Sequence, residues 1–226
     1  MTPAEPSAAD PDYWVARWSE GRTGFHRASP QPWLVEHLEK LAPNGDERVL
    51  VPLCGKSVDL AFLESRGHSV VGVDVAEKAF QEFLAEQKRS ASVRTEPPFT
   101  IHATGRIELW CGDFFAVDPA RHGTFPAIFD RAALIAFPDA RRAEYARKLV
   151  ELLAPGGRLL LVAMEYDQAK WAGPPFSVTR DEIARRFGKA CRMKPIAEKS
   201  LLEEEPVWRE RGIDRLAETL TLLKRR

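Results

Sequence analysis

The apolar residues of this chain form short runs separated by polar, helix-like stretches between positions 48 and 164. Val49 to Val51 and Val70 to Val73 are nearly continuous apolar runs, which is the pattern of strands buried on both faces of a parallel sheet. Further strand-like runs cover residues 107–111, 127–129 and 158–164. We therefore expect a sheet whose central strands are parallel.

Amphipathic segments lie between these runs. Residues 76–88 place Ala79, Phe80 and Phe83 on one helical face. A second helix, predicted over residues 140–153, ends at a Pro-Gly-Gly sequence, where proline lacks an N–H donor and glycine tolerates positive φ. The alternation of strand and helix predicts a doubly wound α/β fold with a mostly parallel sheet.

The remaining segments define the edges of this domain. Residues 190–198 and 211–223 alternate apolar and polar positions and predict an antiparallel hairpin at the C-terminal edge of the sheet. Residues 89–104 are polar and contain Pro97-Pro98, so we expect a surface excursion with at most one short strand.

The N-terminal part is expected to lie outside this alternation. Residues 1–11 are rich in alanine, serine and proline and predict a disordered leader, followed by one domain over 12–226. Residues 12–20 predict a short helix with Trp14 and Trp18 on one face, and residues 31–41 a second helix.

Composition excludes several classes of partner. Lys and Arg number 33, as do Asp and Glu, so no net charge favours nucleic acid or an anionic membrane. The three cysteines are far apart without metal-type spacing, which is typical of a reducing compartment. No apolar run is long enough to span a bilayer. We expect a cytoplasmic monomer that binds small molecules and no metal.

The first strand, turn and second strand indicate a nucleoside site. Asp74 closes the second strand about 20 residues after the turn Cys54-Gly55-Lys56-Ser57, where such folds place an acid for ribose hydroxyls. The turn lacks the other glycines of a dinucleotide fingerprint, which argues against NAD and for a ligand without phosphates. Asp74 could also cap the helix that follows, and the two roles are compatible.

These segments resemble the first two motifs of the thiopurine S-methyltransferase family. The resemblance rests on residues 51–57 (VPLCGKS) and 66–74 (RGHSVVGVD) and continues in family order over roughly residues 12–224. The other matching segments are Trp14, Trp18, Thr23-Gly24-Phe25-His26, Asp130-Arg131-Ala132-Ala133-Leu134, Glu165-Tyr166-Asp167, Gly173-Pro174-Pro175-Phe176, Phe187-Gly188-Lys189 and Gly212-Ile213-Asp214. The resemblance implies a Rossmann-like class I methyltransferase fold and S-adenosyl-L-methionine (SAM) as methyl donor.

The resemblance also implies roles for individual residues. An aromatic cover within residues 12–42 would contribute Trp14, Trp18 and Phe25, with Phe25 and Phe176 facing the methyl acceptor. The cofactor contacts that it implies are Trp14, Trp18, Phe25, Leu53, Gly55, Asp74, Asp113, Phe114 and Arg131. No side chain is assigned as a catalytic base, because an aromatic thiol ionises near neutrality, and His26 is expected to be structural.

Structural alternatives stay open for several of these residues. Leu53, Phe114 and the two tryptophans could be core, and Arg131 could form a salt bridge with Asp130. The Gly-Pro-Pro-Phe turn could be an ordinary connector.

We expect a SAM-dependent S-methyltransferase acting on an aromatic or heterocyclic thiol such as a thiopurine, or on a selenium or tellurium species. Two alternatives remain: a thiol or halide methyltransferase on the same scaffold, and a non-catalytic SAM- or nucleoside-binding protein. The aromatic cover distinguishes an enzyme from a binding protein, which has no need to enclose the methyl group.

Overall fold

Nine strands form one open, mixed sheet in the computed structural model, which describes residues 7–203 and 207–226. The strand order is β3-β4-β5-β2-β1-β6-β7-β9-β8, and the five central strands from β5 to β7 are parallel. The strands are β1 (Arg48–Pro52), β2 (Ser69–Asp74), β3 (Ser92–Glu96), β4 (Phe99–Thr104), β5 (Ile107–Cys111), β6 (Phe125–Arg131), β7 (Leu153–Tyr166), β8 (Cys191–Ser200) and β9 (Leu216–Arg225). The predicted α/β fold with a mostly parallel sheet is confirmed.

Eight α-helices occur in the described part of the chain. They are α1 (Pro11–Ser19), α2 (Pro32–Leu41), α3 (Asp59–Ser65), α4 (Glu77–Glu86), α5 (Pro119–His122), α6 (Asp139–Leu152), α7 (Arg180–Phe187) and α8 (Val207–Glu210). None of these helices is both long and apolar enough to cross a membrane.

The apolar runs form the core because helices cover both faces of the sheet. Val49 and Leu50 of β1 are fully buried but belong to two different hydrophobic clusters, one on each face. From β1 the chain continues to β2 on one side, whereas β6 pairs with β1 on the other side. The strand order therefore reverses at β1, and ligands bind at the carboxyl ends of the strands at such a point.

The segment from residue 89 to 104 differs from its prediction, because it forms two strands instead of an irregular excursion. β4 pairs antiparallel with β5, and its Phe99 and Ile101 are buried. β3 is exposed along its whole length, so its side chains carry no hydrophobic periodicity by which to recognise a strand. Backbone pairing with β4 defines it instead.

The predicted antiparallel hairpin at the C-terminal edge is present, but its second strand starts later in the sequence than predicted. β8 and β9 are antiparallel and β8 is the edge strand, but β9 begins at Leu216, so residues 211–215 precede it. Of the predicted leader, residues 1–6 lie outside the described residues. Asp10 caps α1, since its carboxylate accepts a hydrogen bond from the N–H of Asp12.

Candidate functional site

A cavity of about 680 Å³ lies at the carboxyl ends of the parallel strands. Residues that follow β1, β2, β5 and β6 form its floor, and α1 with the loop around Phe25 covers it. At its far end it reaches the Gly173-Pro174-Pro175 turn. This volume is in the range of small-molecule binding sites.

Asp74 connects the ends of two strands at this floor. Its Oδ2 accepts from the Gly55 N–H at 2.8 Å and its Oδ1 from the Ala76 N–H at 2.9 Å. Burial raises the pKa of Asp74, and the backbone hydrogen bonds from Ala76 and Gly55 oppose that increase. Helix α4 begins only at Glu77, with Ala76 as its N-cap, so Asp74 orders the turn before the helix and does not cap it. Each carboxylate oxygen retains a further lone pair for a ligand hydroxyl.

Two non-glycine residues on the floor adopt left-handed backbone conformations. Leu53 has φ of 48° after β1, and Ala132 has φ of 63° after the neighbouring strand β6. Such a conformation costs about 1–2 kcal/mol for a residue with a side chain. Strain of this kind persists where the surroundings hold it, commonly at ligand sites.

Gly55, a predicted cofactor contact, is not among the residues that line the cavity and packs against Trp18 instead. The residue is buried, and a Cβ atom added to it would lie 2.5 Å from the Cζ2 atom of Trp18. Trp18, only 2% exposed, therefore covers Gly55 and separates it from the cavity. The glycine provides room for the cover, and its backbone conformation, with φ of 50°, favours glycine as well.

The predicted aromatic residues come together over the strand ends. The rings of Trp14 and Trp18 lie 5.9 and 5.7 Å from that of Phe25, both in edge-to-face geometry. Arg131 donates a hydrogen bond of 2.8 Å from Nη1 to the carbonyl oxygen of Phe25, which ties the loop to the end of β6. All four residues line the cavity, Trp18 as a buried residue and Trp14 as a half-buried one.

Asp113 and Phe114 lie on the cavity wall after β5. Asp113 is exposed and its Oδ1 accepts from the Phe115 N–H at 2.9 Å. Phe114 is 3% exposed and packs on Tyr145 with ring centroids 5.2 Å apart, so it belongs to the core as well as to the wall. Phe115 also lines the cavity.

Asp130 faces away from the cavity, into the core. It accepts hydrogen bonds from the Tyr145 hydroxyl at 2.8 Å and from the Leu134 N–H at 3.2 Å. Burial raises the pKa of Asp130 to about 6. Successive residues of a strand point to opposite faces, which explains why Arg131 reaches the cavity and Asp130 does not.

The structure does not place Phe176 on the cavity wall, contrary to its predicted contact with the acceptor. Its ring packs against Gly173, where an added Cβ would lie 2.6 Å from the ring, and its N–H donates to the Ile135 carbonyl at 2.7 Å. The ring of Phe176 therefore packs against the turn, whereas Gly173, Pro174 and Pro175 line the cavity.

The cavity lining contains aromatic and cationic residues that the sequence analysis did not assign to the site. The Arg211 guanidinium lies 3.8 Å from the ring centroid of Trp171 and 5.1 Å from that of Trp208, and all three residues line the cavity. No local periodicity could have identified this group, because Trp171 lies in the loop before α7 and the other two in the segment before β9.

His26 lies beside a second, smaller cavity with Lys56 and Arg131. Burial, together with the positive charge of Lys56, lowers the pKa of His26.

Comparison with known proteins identifies relatives along almost the whole chain. The family model described as Thiopurine S-methyltransferase matches residues 9–226. A thiopurine S-methyltransferase of Pseudomonas fluorescens (strain SBW25) is 41% identical over 209 residues, which cover 92% of this chain and 96% of that protein. A thiopurine S-methyltransferase of Azotobacter vinelandii is 41% identical over 215 residues, covering 95% and 99%.

Solved structures share the fold at low sequence identity. Magnesium protoporphyrin IX methyltransferase from Synechocystis PCC 6803, with bound SAM, has a TM-score of 0.65 at 13% identity and full coverage of both chains. The 1,6-didemethyltoxoflavin-N1-methyltransferase of Burkholderia thailandensis, with bound S-adenosylhomocysteine, has a TM-score of 0.63 at 16% identity and covers 100% of this chain and 92% of that one.

Proposed function

Since the chain belongs to the thiopurine S-methyltransferase family, we propose that it transfers the methyl group of SAM to the sulfur atom of a small, flat thiol. Family membership supports the SAM-dependent methyltransferase class directly. The identity of the acceptor as an aromatic or heterocyclic thiol is the finer part of the proposal.

The floor of the cavity has the chemistry that SAM requires. Asp74 retains acceptor capacity for ribose hydroxyls, and Asp113 with Phe114 combines an accepting carboxylate with an aromatic wall for adenine. When bound, SAM supplies an electrophilic methyl group on a positively charged sulfur. The rings of Trp14 and Phe25 are suited to attract such a cation, by about 0.5–2 kcal/mol.

The observation that carries the proposal is the continuity of the cavity. One space joins Asp74 and the strand ends to the Pro174-Pro175 turn beneath the aromatic cover. A nucleoside-binding protein needs only the first part, whereas a transferase must hold donor and acceptor together. Orientation of two reactants in one site can lower a barrier by about 7–11 kcal/mol.

The walls at the acceptor end favour a flat and soft nucleophile. Ile135, Phe137 and the two prolines supply apolar surface, and a thiolate needs no general base at neutral pH. Selenium and tellurium species are soft nucleophiles of the same kind and belong to the same proposal.

We also propose that the protein acts as a monomer in the cytoplasm. Residues of one chain form the cavity, and Cys54, Cys111 and Cys191 are free thiols, as is typical of a reducing compartment.

The test is an acceptor panel with isotopically labelled SAM. It contains thiophenol, 6-mercaptopurine, selenite, tellurite and iodide, with phenol as the oxygen control matched to thiophenol. We expect labelled methyl thioethers from the thiols and no product from phenol. Transfer to iodide alone would identify a halide methyltransferase. Binding of S-adenosylhomocysteine without transfer to any acceptor would identify a non-catalytic binding protein.

A further inference from the structure

A buried ion pair adjoins the part of the cavity wall that is proposed for the methyl acceptor. Arg142 of α6 is 5% exposed and Glu182 of α7 is 7% exposed. The Arg142 Nε donates to Oε1 of Glu182 at 2.6 Å, and its Nη2 donates to Oε2 at 3.0 Å. This two-point contact fixes the plane and direction of the guanidinium. Neither side chain lines the cavity, so any effect on a ligand is exerted through the residues that they hold.

The same guanidinium holds the first wall segment, residues 135–137, which line the cavity. Nη1 of Arg142 donates to the carbonyl oxygen of Phe137 at 3.0 Å. The backbone N–H groups of Arg141 and Arg142 bond to the next carbonyl along the chain, that of Pro138. The side chain of Arg142 therefore anchors the wall at the point where it joins α6.

Glu182 connects the ion pair to the second wall segment, residues 173–175, which also line the cavity. Its backbone N–H donates at 3.1 Å to Oγ1 of Thr179, the N-cap of α7. Between this cap and the second segment, the Phe176 N–H donates to the carbonyl of Ile135 at 2.7 Å. The two wall segments are thus joined at one end by a backbone hydrogen bond and at the other through the ion pair.

Stability alone does not explain this arrangement. Taking both charges out of water costs about as much free energy as their attraction returns, and an apolar pair of similar volume is often at least as stabilising. Apolar side chains, however, cannot donate to the Phe137 carbonyl or fix its direction. Defined geometry at the wall is therefore what the ion pair contributes and what apolar packing would not.

We propose that Arg142 is a positioning residue for the methyl acceptor. Through Glu182 and the Phe137 carbonyl, it holds the two wall segments at a spacing that admits a flat thiol and excludes a thicker one. This inference rests on the proposed thiol methyl transfer. Because a displacement of about 1 Å in a reacting pair can cost about a hundredfold in rate, a small movement of the wall is measurable.

The test is the variant Arg142→Met, which keeps an unbranched side chain but loses the donor to Phe137. Glu182 stays paired, because Nε of Arg186 donates to its Oε1 at 2.6 Å. Initial rates at saturating SAM are measured with 4-methylthiophenol and 4-tert-butylthiophenol, which differ in thickness at one ring position. We expect the wild-type preference for the methyl compound, as a ratio of kcat/KM, to fall by about fivefold or more, mainly through KM for the thiol. KM for SAM should change less than about twofold.

Two further variants separate geometry from charge and from general stability. Arg142→Lys keeps the charge but lacks the planar fork, so we expect the same fall in preference. A wild-type preference in Arg142→Lys would overturn the proposal.

Arg89→Met is the matched control, because Arg89 pairs with Glu64 away from the cavity lining, and Glu64 keeps its hydrogen bond from the Arg106 N–H. This variant should retain the wild-type preference. An equal fall in Arg89→Met and Arg142→Met would contradict a role specific to the wall.

A binding measurement separates this proposal from the proposed function. Calorimetry in the presence of S-adenosylhomocysteine should show that wild type prefers 4-methylthiophenol to 4-tert-butylthiophenol and that Arg142→Met loses this preference, even if wild type transfers no methyl group. An unchanged preference in the variant, or none in wild type, would contradict the role of Arg142. Thermal unfolding and affinity for S-adenosylhomocysteine establish that each variant is folded, and Arg142→Lys supplies the same comparison if Arg142→Met does not fold.

Discussion

The carboxylate of Asp74 accepts a hydrogen bond of 2.8 Å from the backbone N–H of Gly55, and this bond joins the carboxyl ends of β1 and β2. The same carboxylate lines the cavity, so it orders the floor and is available to a ligand. The glycine next to it receives the cover, because Trp18 lies against its Cα. The floor of the cavity and its aromatic cover therefore meet at Asp74 and Gly55.

Asp74→Ala should weaken the binding of S-adenosylhomocysteine by about 1–3 kcal/mol, because hydrogen bonds to an ionised group are lost. Titration calorimetry of the folded variant measures this change, and Asp74→Asn tests the contribution of charge at nearly constant shape. NAD and ATP should not bind the wild type. Unchanged affinity in both variants would assign the ribose contact to another residue.

Gly55→Ala should displace Trp18, since the new methyl group would lie 2.5 Å from the indole. We expect a loss of about 1–3 kcal/mol in unfolding free energy from overpacking, with a higher KM for SAM and altered tryptophan fluorescence. Gly156→Ala is the control, because Gly156 also has positive φ, at 73°, but its added Cβ would have no neighbour within 4 Å. Equal effects of the two changes would mean that backbone strain, not contact with Trp18, explains the result.

The cover should become more resistant to trypsin when S-adenosylhomocysteine binds. Trp18 is buried, and Lys78 donates a 3.1 Å hydrogen bond to the Ser19 carbonyl, so α1 is held on α4 before a ligand adds further contacts. Cleavage after Arg17, Arg22 and Arg27 is followed by mass spectrometry, and Arg131→Met, which loses the bond to Phe25, should accelerate it. Cleavage that is unaffected by saturating ligand would show that α1 does not close over the site.

Asp130 should make stability fall as pH rises from about 4 to 6. Its folded pKa is about 6, above the ordinary value of 3.8, so the folded state binds more protons than the unfolded state between these values. The shift of about two pKa units corresponds to about 3 kcal/mol, present below pH 4 and lost above pH 6. Urea unfolding from pH 4 to 7 should show this loss for wild type relative to Asp130→Asn, which cannot titrate. The same pH dependence of the unfolding free energy in wild type and Asp130→Asn would contradict this prediction.

The sequence alone determined the central architecture and several residues of the cavity floor, among them Leu53, Asp74 and Arg131. Apolar runs at β1 and β2, the glycine turn and Asp74 are close in sequence, so local spacing predicts how they meet. The motifs around Leu53 and Arg131 likewise follow individual strands, and the carboxyl ends of neighbouring parallel strands converge at one edge of the sheet. The sequence pattern did not predict β3, because the exposed side chains of this strand have no hydrophobic periodicity.

Only the tertiary structure decided which distant side chains contact one another. Gln31 and Glu218 are 187 positions apart and meet because β9 inserts between β7 and β8, beside the start of α2. Trp171 and Arg211 meet in the cavity lining for a similar reason, whereas the ring of Phe176, beside the matching Pro-Pro motif, packs against Gly173. Hydrophobic periodicity indicates which face of a helix or strand is buried. The contacts between loops depend on strand order and packing, which no local pattern contains.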